Sequence, residues 1–235
     1  MIQAKTYFER FLGWKRHDKQ NRLVYDSYAT MPLDMLEKET APGALEEAGE
    51  RYLFGVNMQA DVEKAIVLFQ KAADAGHPDA WQMLAEVYRT DKYERKDLER
   101  YFTYLPKAAE LGNWKAMFNM AVAYYRGKLA YEGFGFNMDH AEAMKWTLQC
   151  LAMCRELLRV FFGRATTQNL KDYFGEVYDT YIRAIFAAAK QYVQGDGVEQ
   201  SNEKAKKLIT DAQTFHRQYM GAESDQLNQL LKKIG

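Results

Sequence analysis

The sequence predicts an all-α protein, an α-solenoid of stacked antiparallel helix pairs. Three observations predict it. Only four prolines interrupt 235 residues, apolar residues recur at helical spacing, and the same residue types return every 36 positions. Ala44, Ala80 and Ala116 follow that period, as do Tyr52, Tyr88 and Tyr124. The run Lys71-Ala72-Ala73 with Gly76 returns as Lys107-Ala108-Ala109 with Gly112. A fourth copy keeps the internal spacing with Ala184, Ala188 and Tyr192, followed by Gly195-Asp196-Gly197-Val198. About four repeats result, over approximately 44–77, 78–112, 113–160 and 180–218.

Within each copy an Ala, a small or aliphatic residue and a Tyr at i, i+4 and i+8 share one helix face, so a neighbouring helix can approach closely. A glycine three positions after the Tyr (Gly55, Gly127, Gly195) ends that first helix, because glycine enters the left-handed region without steric cost. Asp61, Asp97, Asp139 and Ser201 then precede a second apolar run, with side chains suited to the free N–H groups of a helix start. The second helices carry Ala65, Leu68 and Ala72, then Tyr101, Tyr104 and Ala108, then Ala143, Trp146 and Cys150, and last Ala205, Leu208 and Ala212. Such a hairpin cannot bury its own apolar face and must stack on its neighbours.

The copies depart from one another in places that predict local structure. The second has Asp91 in the glycine slot and Pro106 within its second helix, where a missing N–H is expected to kink or restart the helix. The third takes 15 positions from Tyr124 to Asp139 where the others take 9, adding a loop with Tyr131, Phe134 and Phe136. Cys154 fills the slot of Gly76 and Gly112, so that second helix is expected to run to about Phe162. A helical insertion over 161–180 follows. Its Leu170, Phe174 and Val177 stay in register with Tyr181 and Ile185, predicting one unusually long helix. Residues 1–43, rich in aromatics and closed by Pro42-Gly43, are expected to form N-terminal capping helices, with the solenoid over 44–235. A C-terminal capping helix is expected over 222–234, with Leu227, Leu230 and Leu231 on one stripe.

These motifs resemble the Sel-one-like repeat (SLR) family, a branch of the tetratricopeptide-like (TPR-like) α-solenoids. The residues that carry the resemblance are Asp79-Ala80, Leu84-Ala85 and Tyr88 in the first helix, Asp61, Lys64-Ala65 and Lys71-Ala72-Ala73 with Gly76 in the second, and Gly195-Asp196-Gly197-Val198 in the loop. The resemblance implies a right-handed α-solenoid of antiparallel helix pairs and noncatalytic adaptor work on a peptide or protein partner, as bacterial members do. It also admits an immunity or inhibitor protein that neutralises a co-encoded toxin.

The charge balance, 32 basic against 32 acidic side chains, argues against a nucleic-acid binder that relies on excess Lys and Arg. No apolar run is long enough for a membrane span. The leader-free start reads as a cytoplasmic protein, with a secreted or periplasmic mature form as the alternative. No phosphate loop, dinucleotide fingerprint, metalloprotease motif or nucleophile elbow occurs. No catalytic, cofactor-binding or metal residue is therefore expected, and the protein is expected not to be an enzyme. A hydrolase or transferase site in the insertion is the competing class. His17, His77, His140 and His216 stand apart without further ligands, and read as surface or helix-end residues. Cys150 and Cys154 fall on small-residue slots and read as packing. Residues 1–22 hold six basic and two acidic side chains and residues 44–77 three basic and six acidic; both read as solvated faces.

In solenoids of this resemblance the first helices line the groove at positions −6, −2 and +1 from the repeat Tyr. The early copies then present Glu46, Glu50 and Leu53, followed by Gln82, Glu86 and Arg89. The later copies present Phe118, Val122 and Tyr125, then Phe186, Lys190 and Val193. The apolar end calls for cover, either from the insertion or from a partner. The candidate partner-binding residues are Glu50, Gln82, Glu86, Arg89, Phe118, Val122, Tyr125, Phe186 and Lys190, with Tyr131, Phe134 and Phe136 of the long loop.

Overall fold

The computed structural model describes residues 16–17, 23–24, 28, 31–127, 137–161 and 168–234. Among them the chain is helical almost throughout. The helices are α1 (Leu33–Leu36), α2 (Pro42–Phe54), α3 (Val62–Asp74), α4 (Pro78–Arg89), α5 (Leu98–Glu110), α6 (Trp114–Arg126), α7 (His140–Phe161), α8 (Gln168–Gln194), α9 (Asn202–Met220) and α10 (Asp225–Ile234). The pairs α2–α3, α4–α5 and α6–α7 and the coupling of α8 to α9 follow the predicted hairpins, and the fold is that of an all-α solenoid.

Ahead of the repeats the structure departs from expectation. Two-residue strands β1 (Arg16–His17) and β2 (Leu23–Val24) pair antiparallel, Arg16 with Val24 and His17 with Leu23, where capping helices were expected. Ahead of α2 only α1 is helical among the described residues. α1 is a short helix held by the fully buried Leu36, and most of the expected capping segment lies outside the described residues.

By contact the chain divides into two compact units, residues 1–117 with 166–171 and residues 118–165 with 172–235. In the first, α2 packs on α3, α3 on α4 and α4 on α5. Its core holds the predicted small residues Ala44, Ala48, Ala65, Ala72 and Ala80 beside Phe69, Leu84 and Leu105. Close approach is literal at Gly49, where a Cβ would stand 2.6 Å from the Phe69 ring. The hairpins are closed identically. The Asp61 N–H donates to the Tyr52 carbonyl and the Asp97 N–H to that of Tyr88, both at 2.9 Å. The Asp61 and Asp97 carboxylates accept from the N–H groups of Lys64 and Arg100. At the other end Gly76 and Gly112 turn the chain with φ of 86° and 104°. The residues that follow, His77 and Asn113, accept from the N–H groups of Ala80 and Ala116 at the start of the next helix. α5 runs through Pro106 without restarting.

The second unit repeats the closure. Asp139 and Ser201 donate backbone N–H groups to Tyr124 and Tyr192 carbonyls and accept at their side chains from Glu142 and Lys204 N–H groups. With Cys154 in the glycine slot, α7 continues for 22 residues, and α8 reaches 27. Cys150 and Cys154 are fully buried with sulfurs 3.9 Å apart, which is packing. Burial, together with the neighbouring Cys150, pushes the Cys154 thiol well up. The C-terminal α10 buries Leu227, and Gln213 of α9 clasps Ser224 through both its amide ends at 2.9 Å.

Candidate functional site

The first-helix faces differ sharply in chemistry between the units. In the first unit Glu46 and Glu50 lie one turn apart on α2. The Glu46 carboxyl is pushed well up by burial and by the charges of Glu50, Asp79 and Glu47, and it shares a hydrogen bond with Glu50. Glu86 receives Arg89 in a two-pronged contact of 2.8 and 2.6 Å, so the two satisfy each other at the surface. Gln82 is only 6% exposed and its Oε1 has no hydrogen-bond partner. The expectation that Gln82 and Leu53 face an open groove is therefore corrected: both are buried, taken up in the packing of their helices against neighbours.

In the second unit four of the predicted residues meet. A cavity of about 320 Å³, near the lower end of ligand-pocket sizes, is lined by Phe118, Val122 and Tyr125 of α6 and Lys190 of α8. Ala121, Arg126, Thr147, Ala187 and Gln191 complete the lining. Phe118 is 7% exposed and serves as a wall more than a free anchor. Phe186 is exposed yet does not line the cavity. Tyr131, Phe134 and Phe136 lie outside the described residues.

The rim is held by a polar knot. Tyr125 Oη donates to Asp196 Oδ2 at 2.9 Å, the His140 ring stacks on Tyr125 with centroids 4.7 Å apart, and His140 Nδ1 stands 3.8 Å from Asp196 Oδ1. The Gln191 amide donates to the carbonyls of His140 and Asp196. Gly197 at φ +72° comes so close to the His140 backbone that a Cβ would stand 2.1 Å away. The loop of Gly195-Asp196-Gly197 is thereby pinned to the start of α7. Gln191 escaped the sequence reading, although a signal existed. Its slot, one before the repeat Tyr, holds buried Val87 and Ala123 in the second and third copies.

His77, His140 and His216 take helix-end or packing roles. His77 Nδ1 accepts from the Asp79 and Ala80 N–H groups, and His216, whose pKa burial lowers, bonds the Tyr178 hydroxyl. Among the described residues no three His, Cys, Asp or Glu converge as metal ligands. None of the described helices is long and apolar enough to cross a membrane.

Recurrent caps, recurrent tyrosines and hairpins at a fixed period define a helical-repeat protein. The Sel1 repeat family model matches residues 42–77, 114–149 and 182–210, so the chain carries three Sel1 (SLR) repeats. The copy over 78–112, with Asp91 and Pro106, falls between the matched repeats. Among solved structures the chain is similar to a Sel1 repeat protein from Oxalobacter formigenes at 20% identity and a TM-score of 0.44, covering 83% of this chain and 87% of that one. It is also similar to c5321, a protective antigen of uropathogenic Escherichia coli with an SLR fold, at 20% identity and a TM-score of 0.46; the match covers 99% of this chain and 53% of that one. A third is the immunity protein Pa5087 from Pseudomonas aeruginosa, at 15% identity and a TM-score of 0.29, over 77% of this chain and 81% of that one. No curated protein is significantly similar in sequence.

Proposed function

We propose that the protein is a noncatalytic adaptor that holds a protein partner through the cavity between α6 and α8. The supporting observation is that cavity. It is lined mainly by Phe118, Ala121, Val122, Tyr125 and Ala187, in a family built of stacked hairpins that generally mediate protein–protein interaction. A bulky apolar side chain of the partner is the occupant, since a pocket of this size and lining takes one aromatic or branched residue as an anchor.

Ala187 offers the test, because it lines the cavity and is not part of the rim knot. Ala187→Trp fills the space from within. The partner retained by the unaltered protein, identified by mass spectrometry and cross-linked through a photoreactive residue at position 187, is expected to be lost from the Trp variant while the melting curve is preserved. Equal capture by both proteins, or cross-links only outside α6 and α8, would overturn the proposal. A co-encoded toxin as the captured partner would give the adaptor an inhibitory role.

A further inference from the structure

The cavity has a charge signature that its apolar lining does not require. Two of its lining residues are cations, Arg126 and Lys190, and none is a carboxylate. A third cation stands beside it, with the Arg183 guanidinium carbon 4.7 Å from the centre of the Phe118 ring.

The partners of these cations are informative. Lys190 Nζ lies 5.1 Å from the Tyr125 ring centre, and among the described residues neither Lys190 nor Arg126 has an ion-pair partner. Arg183 reaches Asp179 only at 3.9 Å, with both side chains more than half exposed, a contact weak enough to yield to a better one. Asp196 is the carboxylate bonded to the rim residue Tyr125. It is already engaged by the Tyr125 hydroxyl and faces His140. Cations left over aromatic faces keep their capacity for charged hydrogen bonds. The slot of Lys190 carries Glu50 and Glu86 in the first unit, and that of Arg126 carries Phe54 and Thr90, so the repeat itself does not demand positive charge here.

We infer that the cavity takes an acidic segment: a short internal stretch of a partner protein in which one bulky apolar side chain is flanked by Asp or Glu. The apolar residue enters between Val122 and Ala187, and the flanking carboxylates meet Arg126 and Lys190, with Arg183 available to a third. This rests on the adaptor reading above and names the partner's chemistry. Complementary charge of this kind sets orientation and encounter rate, and salt screens it.

The test uses labelled ten-residue peptides with a central Trp flanked either by Glu or by Lys, read by fluorescence anisotropy against the full chain. The Glu peptide is expected to bind at least about ten times more tightly than the Lys peptide, and to weaken as NaCl rises from 50 to about 300 mM. The exposed-site double variant Arg126→Glu with Lys190→Glu is expected to reverse the preference while the melting curve holds. Equal binding of the two peptides, or a preference indifferent to the double variant, would overturn the acidic assignment. Ala187→Trp separates this from the reading beneath it. If the Trp variant still loses its captured partner while charge reversal changes nothing, the cavity reading stands and the acidic one falls. If Glu-peptide binding is untouched by Ala187→Trp, the peptide does not sit in the cavity and the acidic assignment falls; if the captured partner is also retained by that variant, both fall. Tight binding to phosphatidylserine vesicles that charge reversal abolishes, without peptide binding, would assign the patch to an anionic surface and also overturn the inference.

Discussion

At the residue scale, two glutamates of the first unit titrate in opposite senses. Glu46 sits among Glu50, Asp79 and Glu47, and burial with those charges raises its carboxyl pKa in the folded chain. A raised carboxyl favours folding fully below its ordinary pKa, near 4.5, and loses that contribution as pH climbs through the folded value. Glu46→Gln removes the conflict. Its melting temperature at pH 7 to 8 is expected to rise by about 2–4 °C, as for about 1 kcal/mol in a chain of this size, with the gain vanishing toward pH 4. Glu37 behaves oppositely. Hydrogen bonds from Lys64 and the Tyr52 hydroxyl lower its pKa, so its contribution is present above the ordinary carboxylate range and fades on acidification. The pair is surface-exposed, and Glu37→Gln is expected to cost about 0–1 kcal/mol. Thermal melts of both variants from pH 4 to 8 check the two slopes.

At the element scale, the ends of the helices matter more than their middles. Glycine can be exchanged in one helix and not beside another. Gly175, on the exposed side of α8, has no heavy atom within 4 Å of a built Cβ, so Gly175→Ala is expected to stabilise by about 0.5–1 kcal/mol through helix propensity. Gly197 has φ +72° and sits against the His140 backbone. Gly197→Ala adds left-handed strain to a clash with main chain that cannot rotate away, and is expected to cost at least about 2 kcal/mol. It also unpins the loop that holds Asp196 to Tyr125, the edge of the cavity. Urea unfolding of the two variants gives the sign of each. The caps were legible beforehand for the same local reason: Asp61, Asp97, Asp139 and Ser201 each satisfy an N–H three residues ahead, a bond that needs no distant partner. Pro106 shows the limit of local rules. A single proline predicts a break, yet packing of Tyr101, Phe102, Leu105 and Ala108 in the core carries α5 through it.

At the scale of the whole molecule, repeat modules share stability chiefly with their neighbours. Leu227 of α10 is fully buried, and its truncation to Ala is expected to cost about 2–5 kcal/mol. The loss is expected to be local: amide exchange should quicken in α9 and α10, while α2 to α5 keep their protection. Uniform quickening along the chain would mean that the units unfold as one. The same nearest-neighbour logic decides what could be read in advance of the cavity. Phe118, Val122, Tyr125 and Lys190 were legible as one-face positions of their helices. That Phe118 would be a wall, that Gln82 and Leu53 would be buried, and that Arg126, Thr147 and Gln191 would join the lining were not. Those outcomes depend on how closely one helix approaches the next.

The sequence by itself determined the period, the hairpin boundaries, the capping residues and the two long helices, because each is an interaction between residues within one or two turns. Tertiary structure alone decided the cavity and its charge. Tyr125 and Asp196 are 71 positions apart, and no periodicity within either helix specifies that they touch. That contact follows from the distance and tilt at which separate hairpins pack, which side-chain volumes from the whole unit set together.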